Sequence, residues 1–260
     1  MKYGAQLYTI RDFMQTHKDF AGSIKKISRL GFECVQVAGV SSEIPPAEIA
    51  ETCQAHGLEI VGTCPDPDEI KDNLQEVIAA HKMMNAKFVC IDRLPKKYEL
   101  SKGGFLQFFL EFTTAARQIK EEGMQLLYHH HHFEFERYDG KLAIEFIREN
   151  FRDANFALDT YWMQAGGADP THWITRLKSR ASLLNLRDFA VIEGISRMCE
   201  VMEGNLNWPR IMNAAEEAGI EYAIIGQDEC YGANPFDSLG KSLFNLRNKL
   251  SKNEFEDVNW

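Results

Sequence analysis

The sequence predicts an α/β fold, a closed (β/α)8 barrel of the TIM type, from three observations. Eight short apolar runs, rich in β-branched or aromatic residues, alternate with longer segments of helical periodicity. Over 260 residues each repeat takes about 32 residues, which is the length that a parallel βα unit needs. The apolar runs are mostly continuous rather than alternating, as expected for strands that are covered on both faces.

The eight predicted strands are residues 3–8, 33–38, 58–63, 86–91, 124–129, 155–160, 182–187 and 222–227. The intervening segments with helical periodicity include residues 19–30, 46–57, 66–86 and 105–123. Several carry end signals, since Gly31 and Gly57 follow helical periods and Pro46 and Pro67 stand near helix starts. In the loop before a later helix, Asp169 is predicted as the N-cap and Pro170 as the first helical residue.

An open, doubly wound sheet is the other architecture with alternating strands and helices. Such sheets usually carry a nucleotide-binding motif, G-x-G-x-x-G or G-x-x-x-x-G-K-[ST], and neither occurs here. The strand count therefore favours the closed barrel, and we expect no nucleotide cofactor. No linker or composition break divides the chain, which predicts one barrel domain over residues 1–260 with a peripheral polar tail at 251–260.

The charge balance bears on partners and location. The chain has 29 Lys and Arg against 38 Asp and Glu, a net charge of −9, which argues against nucleic-acid or anionic-membrane partners. The sequence has no long apolar run and no signal-type segment at its start. The six cysteines are scattered without a C-x-x-C pair, as in a cytoplasmic protein with reduced thiols. We therefore expect a cytoplasmic protein.

The ends of the predicted strands carry the candidate site. In a (β/α)8 barrel these ends converge on one mouth, where catalysis takes place. Amides, carboxylates and aromatic rings gathered there suit a small polyhydroxylated ligand, because sugars offer hydroxyl groups and apolar faces. The predicted substrate-binding residues are Gln6, Tyr8, Gln36, Trp162, Asn185, Gln227 and Asp228.

Four consecutive histidines, His129–His132, lie in the stretch LLYHHHHFEF (126–135). If the strand continues to His131, alternation sends His129 and His131 to the mouth and the other two beneath neighbouring helices. We therefore expect functional imidazoles at His129 and His131, and structural roles for His130 and His132. Imidazole suits proton transfer near neutral pH.

The segment YHHHHFEF (128–135) resembles the Y-H-N-H-D-F-E-F segment of sugar phosphate isomerase/epimerase-like proteins. These belong to the xylose isomerase-like TIM-barrel superfamily, with inosose dehydratases and tagatose-type epimerases. The resemblance continues through QLYTIRD (6–12), LDTYWMQAGGADP (158–170) and GQDECYGANPFDSL (226–239), in order along the chain. It implies a small sugar or sugar-phosphate ligand, and superfamily members often form homo-oligomers.

The resemblance also implies one divalent metal (Mn, Zn, Co or Mg), held by Glu, Asp, His and Glu from the last four strands. The metal steadies an enediolate while two glutamates move a proton. Here His129 stands in place of the first glutamate and Asp159 is retained, but Asn185 and Gly226 replace the other two ligands. A further acid of the second strand is Gln36. Only His129 and Asp159 remain as metal ligands.

Two hypotheses follow. In the first, the chain is an isomerase, epimerase or lyase acting on a carbonyl-bearing sugar. Its catalytic residues are His129 or His131 as general base, Asp159 as orienting carboxylate and Arg187 as carbonyl-polarising or anion-binding cation. In the second, it is a non-catalytic sugar-binding or partner subunit that has lost the metal site. An apurinic-site endonuclease of the same ancestry is disfavoured by the charge of −9.

Overall fold

The computed structural model describes residues 1–248 and contains a closed barrel of eight parallel strands in chain order, with the last strand paired to the first. All eight predicted strands are confirmed. Their bounds are β1 Lys2–Gln6, β2 Cys34–Val37, β3 Glu59–Thr63, β4 Phe88–Ile91, β5 Gln125–His129, β6 Asn155–Asp159, β7 Ala181–Leu186 and β8 Tyr222–Ile225. The predicted peripheral tail, residues 251–260, lies outside the described residues.

The helices surround this barrel. They are α1 His17–Leu30, α2 Pro46–Ala55, α3 Pro67–Asp72, α4 Leu74–Met83, α5 Lys102–Glu121, α6 Ala143–Asn150, α7 Thr160–Ala165, α8 Pro170–Leu177, α9 Trp208–Glu217 and α10 Pro235–Asn248. Within residues 1–248, none of them is long and apolar enough to cross a membrane.

The continuous helical segment expected at 66–86 is wrong, because α3 and α4 are separated at Asn73. This residue has φ −127° and ψ 40°, outside the helical region. Its side-chain amide donates to the Glu69 carboxylate at 2.9 Å, and asparagine favours helix ends over helix interiors.

Side-chain caps explain where other helices begin. Thr16 accepts from the backbone N–H of Asp19 at the start of α1, and Ser101 accepts from Gly104 at the start of α5. The predicted cap of α8 is confirmed, since Asp169 accepts from the N–H of Thr171 and Pro170 opens the helix.

The strands are buried on both faces, which accounts for their continuously apolar sequences. Inside the barrel the filling includes Cys34, Phe88, Cys90, Leu127 and Tyr222. Outside it, the four phenylalanines of α5 are buried against the strands and α6: Phe105, Phe108, Phe109 and Phe112. Both layers hold the strand ends, and therefore the mouth, in place.

A hairpin of residues 188–192 and 195–199, which the sequence did not reveal, follows β7 directly. It is tied to the barrel by Asp188, which is buried. The carboxylate accepts from the backbone of Met202 at 2.8 Å and Gly204 at 3.0 Å, and from the indole N–H of Trp208 at 2.6 Å. Asp188 therefore fixes the chain that leaves β7, next to Arg187.

Candidate functional site

A cavity of about 290 Å³ opens at the carboxyl ends of the strands. This is the end of a (β/α)8 barrel at which active sites are found. Seven of the predicted site residues contribute to its wall: Gln6, Tyr8, His129, His131, Trp162, Arg187 and Asp228. The structure thus brings together groups from several different strand ends.

The other predicted site residues lie beneath this wall. Gln36 is buried and accepts a hydrogen bond from the amide of Gln6 at 3.2 Å. Gln227 is buried and donates through its side-chain amide to Glu229 O at 3.0 Å. Asn185 is buried next to Asp159 in the strand register, and neither its amide oxygen nor its amide nitrogen has a protein partner within residues 1–248. These residues support the wall and do not line the cavity.

His129 is held between two carboxylates. Its Nδ1 lies 3.0 Å from Asp92 Oδ1 and its Nε2 lies 3.1 Å from Asp159 Oδ2. Burial alone would lower the pKa of His129, but the hydrogen bonds to Asp159 and Asp92 outweigh burial and raise the pKa to about 10. The imidazole is therefore a buried cation at neutral pH, with both nitrogens donating.

Asp159 ends β6 and begins α7, so one carboxylate serves two purposes. One oxygen accepts from the backbone N–H of Trp162 at 3.1 Å and caps the helix. The other faces His129 and lies 3.3 Å from Arg187 Nε. Burial would raise the pKa of Asp159, but the charge of Arg187 and the hydrogen bond from His129 lower it overall. The carboxylate stays ionised and orients both cations.

His131 differs from His129 in having an unpartnered nitrogen. It is 6 % exposed, lines the cavity, and its Nδ1 has no hydrogen-bond partner among the described residues. Its ring is stacked on Phe133, with 5.6 Å between centroids, and packs against Trp162 at 4.8 Å. Burial, with the nearby charge of His129, lowers the pKa of His131 well below the usual range. His131 is therefore a neutral imidazole.

The segment after β5 is held by Glu134, which is fully buried. Its carboxylate accepts from the backbone N–H of His131 at 2.8 Å and from the hydroxyl of Tyr128. Burial raises the pKa of Glu134 to about 7. These two bonds fix the backbone that carries the His131 ring.

The expected alternation holds for three of the four histidines. His130 is fully buried on the opposite side, where its Nε2 accepts from the backbone N–H of Asp159 at 3.0 Å. Burial lowers the pKa of His130 to about 4, so it is a neutral structural residue. For His132 the expectation of a buried position is wrong. This residue is exposed, because the strand has ended and a 3₁₀ turn begins at Phe133.

Arg187 crosses the mouth from β7 and is only 3 % exposed. Its Nη1 donates to Asp228 Oδ2 at 2.9 Å and its Nη2 donates to Gln6 Oε1, while its Nε faces Asp159. The guanidinium therefore links the sixth, seventh, eighth and first strand ends. Burial opposes its charge, but Asp228 and Asp159 raise the pKa of Arg187 overall.

Some wall residues have no role predicted from the sequence: Ala38, Gly39, Cys64, Asp92 and Arg93. Asp92 and Arg93 directly follow β4, so the strand-end position was the available signal. The partnership of Asp92 with His129 depends on the closeness of two strand ends that are 37 positions apart in the chain, and no local pattern reports it. Gly39 has φ 71° and lies against Tyr8 and Arg11, which excludes a larger residue there.

The four-ligand metal arrangement implied by the resemblance does not fit these residues. Gly226 supplies no donor, and a β-carbon there would lie 2.7 Å from Gln6 Oε1 and 3.3 Å from Arg187 Nε. Both nitrogens of His129 already face carboxylates, and Asp159 faces Arg187. A metal between positions 129, 159, 185 and 226 would have to displace the guanidinium.

A different set of residues could hold a divalent ion. Asp92, His129 and His131 each offer one ligand atom, and these atoms lie within 4.8 Å of one another. Two imidazoles and one carboxylate are donors that Zn²⁺ and similar ions accept, but His129 would have to release the proton between Nδ1 and Asp92 before it could bind one. This group, unlike the predicted pair His129 and Asp159, lies on the cavity side of His129.

The fold and the position of the cavity define a TIM-barrel protein with its candidate site at the carboxyl ends of the strands. The sequence matches the xylose isomerase-like TIM barrel family over residues 24–242. The chain belongs to this family, and the resemblance seen in its motifs is confirmed. Comparison with curated proteins gives no match.

Solved structures share the fold at low sequence identity. A sugar phosphate isomerase/epimerase from Parabacteroides distasonis ATCC 8503 is 20% identical, with a TM-score of 0.81 over 95% of this chain and 93% of that one. A probable 3-DHS dehydratase, AsbF, involved in petrobactin synthesis in Bacillus anthracis, is 14% identical, with a TM-score of 0.74 over 96% of this chain and 100% of that one. An L-ribulose 3-epimerase is 11% identical, with a TM-score of 0.74 over 96% and 94%.

Proposed function

We propose that this chain is an isomerase or epimerase that acts on a carbonyl-bearing sugar or polyol by proton transfer at the barrel mouth. One observation carries the proposal: a neutral imidazole with a free nitrogen, that of His131, lines the cavity beside two buried cations, His129 and Arg187. The family and the names of the similar structures, which include isomerases, epimerases and a dehydratase, support the same reaction class.

The cavity suits a small sugar or sugar phosphate. Its volume of about 290 Å³ is at the lower end of small-molecule sites. Trp162 and Tyr8 offer aromatic faces to the sugar ring, and the indole N–H of Trp162 has no partner within residues 1–248. Asp228 Oδ1 is likewise unpartnered, and it can accept a hydrogen bond from a sugar hydroxyl.

The two histidines take different parts in the proposed proton transfer. His129 is already protonated and cannot serve as the base, but its charge favours a nearby oxyanion. His131 is neutral and its Nδ1 is unpartnered, so this imidazole is the one placed to accept the proton from the carbon next to the carbonyl. Burial and the charge of His129 lower its pKa, so the transfer depends on the negative charge that develops on the enediolate. The C–H electron pair then forms the enediolate, whose charge falls on the former carbonyl oxygen. Return of the proton to the former carbonyl carbon, with transfer of the adjacent hydroxyl proton to the former carbonyl oxygen, isomerises the sugar. Delivery of a proton to the opposite face of the original carbon epimerises it.

A non-catalytic sugar-binding subunit is the second candidate. The observation that favours it is the neutral character of two positions at which the family resemblance places acids: Gln36 is bonded to Gln6, and Gly226 has no side chain. A chain with these replacements can still bind hydroxyl groups. The cytoplasmic location and a homo-oligomeric state remain predictions under either candidate.

Deuterium exchange tests the proposal whichever direction the reaction takes. The protein is incubated in D2O with a panel of ketoses, aldoses, ketopolyols and their phosphates, and proton NMR follows loss of the C–H signal next to the carbonyl. We expect exchange of at least one compound. The His131→Gln variant should lose about 100-fold or more of this rate, the usual share of a general base.

The exposed His172, on α8, provides a matched control. We expect His172→Gln to exchange at the wild-type rate. Binding of a sugar by calorimetry with no exchange across the panel would favour the binding subunit. An unchanged rate in His131→Gln would remove His131 from the proposed role.

A further inference from the structure

We propose that the barrel mouth works without a divalent metal, and that the guanidinium of Arg187 is the fixed cation that faces Asp159 and the substrate oxygen instead. The inference rests on the proposed proton-transfer function for the role of the cation. Its metal-free part rests on the geometry around Arg187 for the position at which the family resemblance places the metal, and the metal analysis below decides it for Asp92, His129 and His131.

The position of Arg187 is the first argument. Its Nε lies 3.3 Å from Asp159 Oδ2 and would lie 3.3 Å from a β-carbon at Gly226. Asp159 is in turn bonded to His129 and is in register with Asn185 on the next strand. The guanidinium thus occupies the space between the positions that the family resemblance assigns to the metal ligands.

The missing side chain at Gly226 is the second argument. A β-carbon there would come within 2.7 Å of Gln6 Oε1, the atom that accepts from Arg187 Nη2. Glycine at this position therefore makes room for the bond between Gln6 and Arg187. A larger residue at this position would force the Gln6 amide to move and would crowd Arg187 Nε. The glycine that removes the metal ligand implied at position 226 is therefore also the residue that leaves space for the guanidinium of Arg187.

The partners of Arg187 give the third argument. Two carboxylates, Asp159 and Asp228, and the amide oxygen of Gln6 surround the guanidinium on the protein side. A divalent metal ion in this space would be repelled by the buried guanidinium. It would also find no free carboxylate among the ligands that the family resemblance implies. The charge is also permanent, because a guanidinium does not lose its proton in proteins.

The guanidinium of Arg187 also faces the cavity, where it can act on the substrate. The guanidinium lines the cavity, and Nη1 and Nη2 each carry a second N–H besides the one donated to Asp228 or Gln6. When the proton moves from the substrate carbon to His131, the electron pair moves to the carbonyl oxygen. Arg187 stabilises that oxygen through charge and hydrogen bonding. Fixed donors of this kind act in a site that excludes water.

Metal analysis tests the metal-free part independently of any substrate. Untagged wild-type protein is analysed by plasma mass spectrometry and titrated calorimetrically with Mn²⁺ and Zn²⁺, with Asp92→Asn alongside. We expect far less than one ion per chain and no tight binding in either protein. About one ion per chain in the wild type, lost in Asp92→Asn, would place a metal at Asp92, His129 and His131 and overturn the inference.

Chemical rescue tests the role of the guanidinium. Arg187→Ala should lose about 100- to 1000-fold of the exchange rate, as when an oxyanion donor is removed. Added guanidinium ion should restore part of it, whereas Mn²⁺ or Zn²⁺ should not, and EDTA should leave wild-type exchange unchanged. Rescue by a divalent ion, or an unaffected rate, would contradict the proposal.

Arg187→Lys keeps the charge and covers the case in which the alanine variant fails to fold. Lysine lacks the planar fork that spans Gln6 and Asp228, so we expect an intermediate rate that guanidinium does not improve. A wild-type rate in the lysine variant would show that charge alone suffices and would overturn the role of the guanidinium. If no sugar exchanges with the wild type, the proposed function fails, while the metal analysis still decides the metal-free part.

Discussion

The two ends of the barrel interior differ in how completely their polar groups are satisfied. At the amino ends of the strands, Tyr222 donates to Glu59 at 2.6 Å and accepts from Lys87, and Lys2 donates to Glu59 at 2.6 Å. No buried side-chain atom of this group lacks a partner within residues 1–248. The network closes the lower end of the barrel and leaves nothing to offer a ligand.

The mouth has the opposite character. Across residues 1–248, buried side-chain atoms without a protein partner occur on Arg180 and otherwise on six mouth residues: His131, Trp162, Asn185, Arg187, Gln227 and Asp228. Native proteins leave few buried polar groups unpaired, because each costs stability. Four of these six residues, His131, Trp162, Arg187 and Asp228, also line the cavity, which indicates that their unpartnered atoms are available to a ligand.

Asp159 lies at the mouth, but all of its bonds are made within the protein, so its replacement should behave as a structural change. We expect Asp159→Asn to lower the free energy of unfolding by about 3–5 kcal/mol, because it leaves the buried charges of His129 and Arg187 without their shared carboxylate. Urea denaturation measures this loss. A loss below about 1 kcal/mol would contradict this expectation. It would show that a mouth residue whose bonds are all made within the protein contributes no more to stability than one with unpartnered atoms.

At the other end, Tyr222→Phe should cost stability and spare function. Removal of the hydroxyl leaves Glu59 and Lys87 with one partner fewer, and we expect a loss of about 1–2 kcal/mol. The exchange rate per folded molecule should stay at the wild-type value. Tyr231→Phe, at a half-exposed ring, is the control and should change neither quantity. Loss of deuterium exchange in Tyr222→Phe would show that the amino ends of the strands also contribute to the reaction.

His81 extends the comparison to a buried histidine with both nitrogens partnered. Its Nδ1 donates to Val77 O at 2.7 Å, and its Nε2 lies 3.0 Å from the Thr63 hydroxyl. Burial lowers its pKa in the folded state. Below the unfolded pKa of about 6.5 the unfolded chain binds the extra proton, so stability present above that pH is lost by up to about 1.4 kcal/mol per pH unit as pH falls.

Urea midpoints between neutral and mildly acidic pH measure this effect. His81→Gln should reduce the slope of stability against pH. An equal slope in His81→Gln and the wild type would show that His81 protonates as readily in the folded state as in the unfolded state.

Trp162 should give the smallest effect on stability. Its indole N–H has no partner among the described residues, and its ring packs on His131 and Tyr161. Trp162→Phe keeps an aromatic ring, so we expect a change in unfolding free energy within about 0.5 kcal/mol. Sugar affinity by calorimetry should fall by roughly 5-fold, about the value of one neutral hydrogen bond. Unchanged affinity would mean that the indole N–H faces no ligand atom.

Local patterns in the sequence were sufficient to predict the barrel. Continuous apolar runs, helix caps and glycine endings report the positions of strands and helices because they arise from neighbouring residues. The alternation at the end of β5 also placed His129 and His131 on one side. The sequence patterns did not predict the helix break at Asn73 or the early turn after His131. Each depends on the backbone angles of a single residue, which periodicity does not report.

The arrangement within the mouth could be predicted only in part. Strand-end positions gathered Gln6, His129, Arg187 and Asp228 correctly, since parallel strands bring their carboxyl ends to one place. The orientation of the Arg187 side chain could not be predicted from the sequence. It depends on the space left by Gly226 and on a hydrogen bond to Gln6 in β1, which is 181 positions away. The charge of His129 likewise depends on carboxylates from other strands, and the neutral state of His131 depends on burial and on the charge of His129.

The free energy of unfolding of His131→Phe shows whether the polar atoms of the mouth are kept for a ligand or stabilise the fold. The variant keeps an aromatic ring to pack on Phe133 and Trp162, and it removes the imidazole nitrogens. If these nitrogens are reserved for a ligand, the variant will be as stable as the wild type or more stable, by up to about 1 kcal/mol, because a buried unpaired polar atom has been removed. A loss of more than about 1 kcal/mol would show that His131 stabilises the fold and would contradict the account.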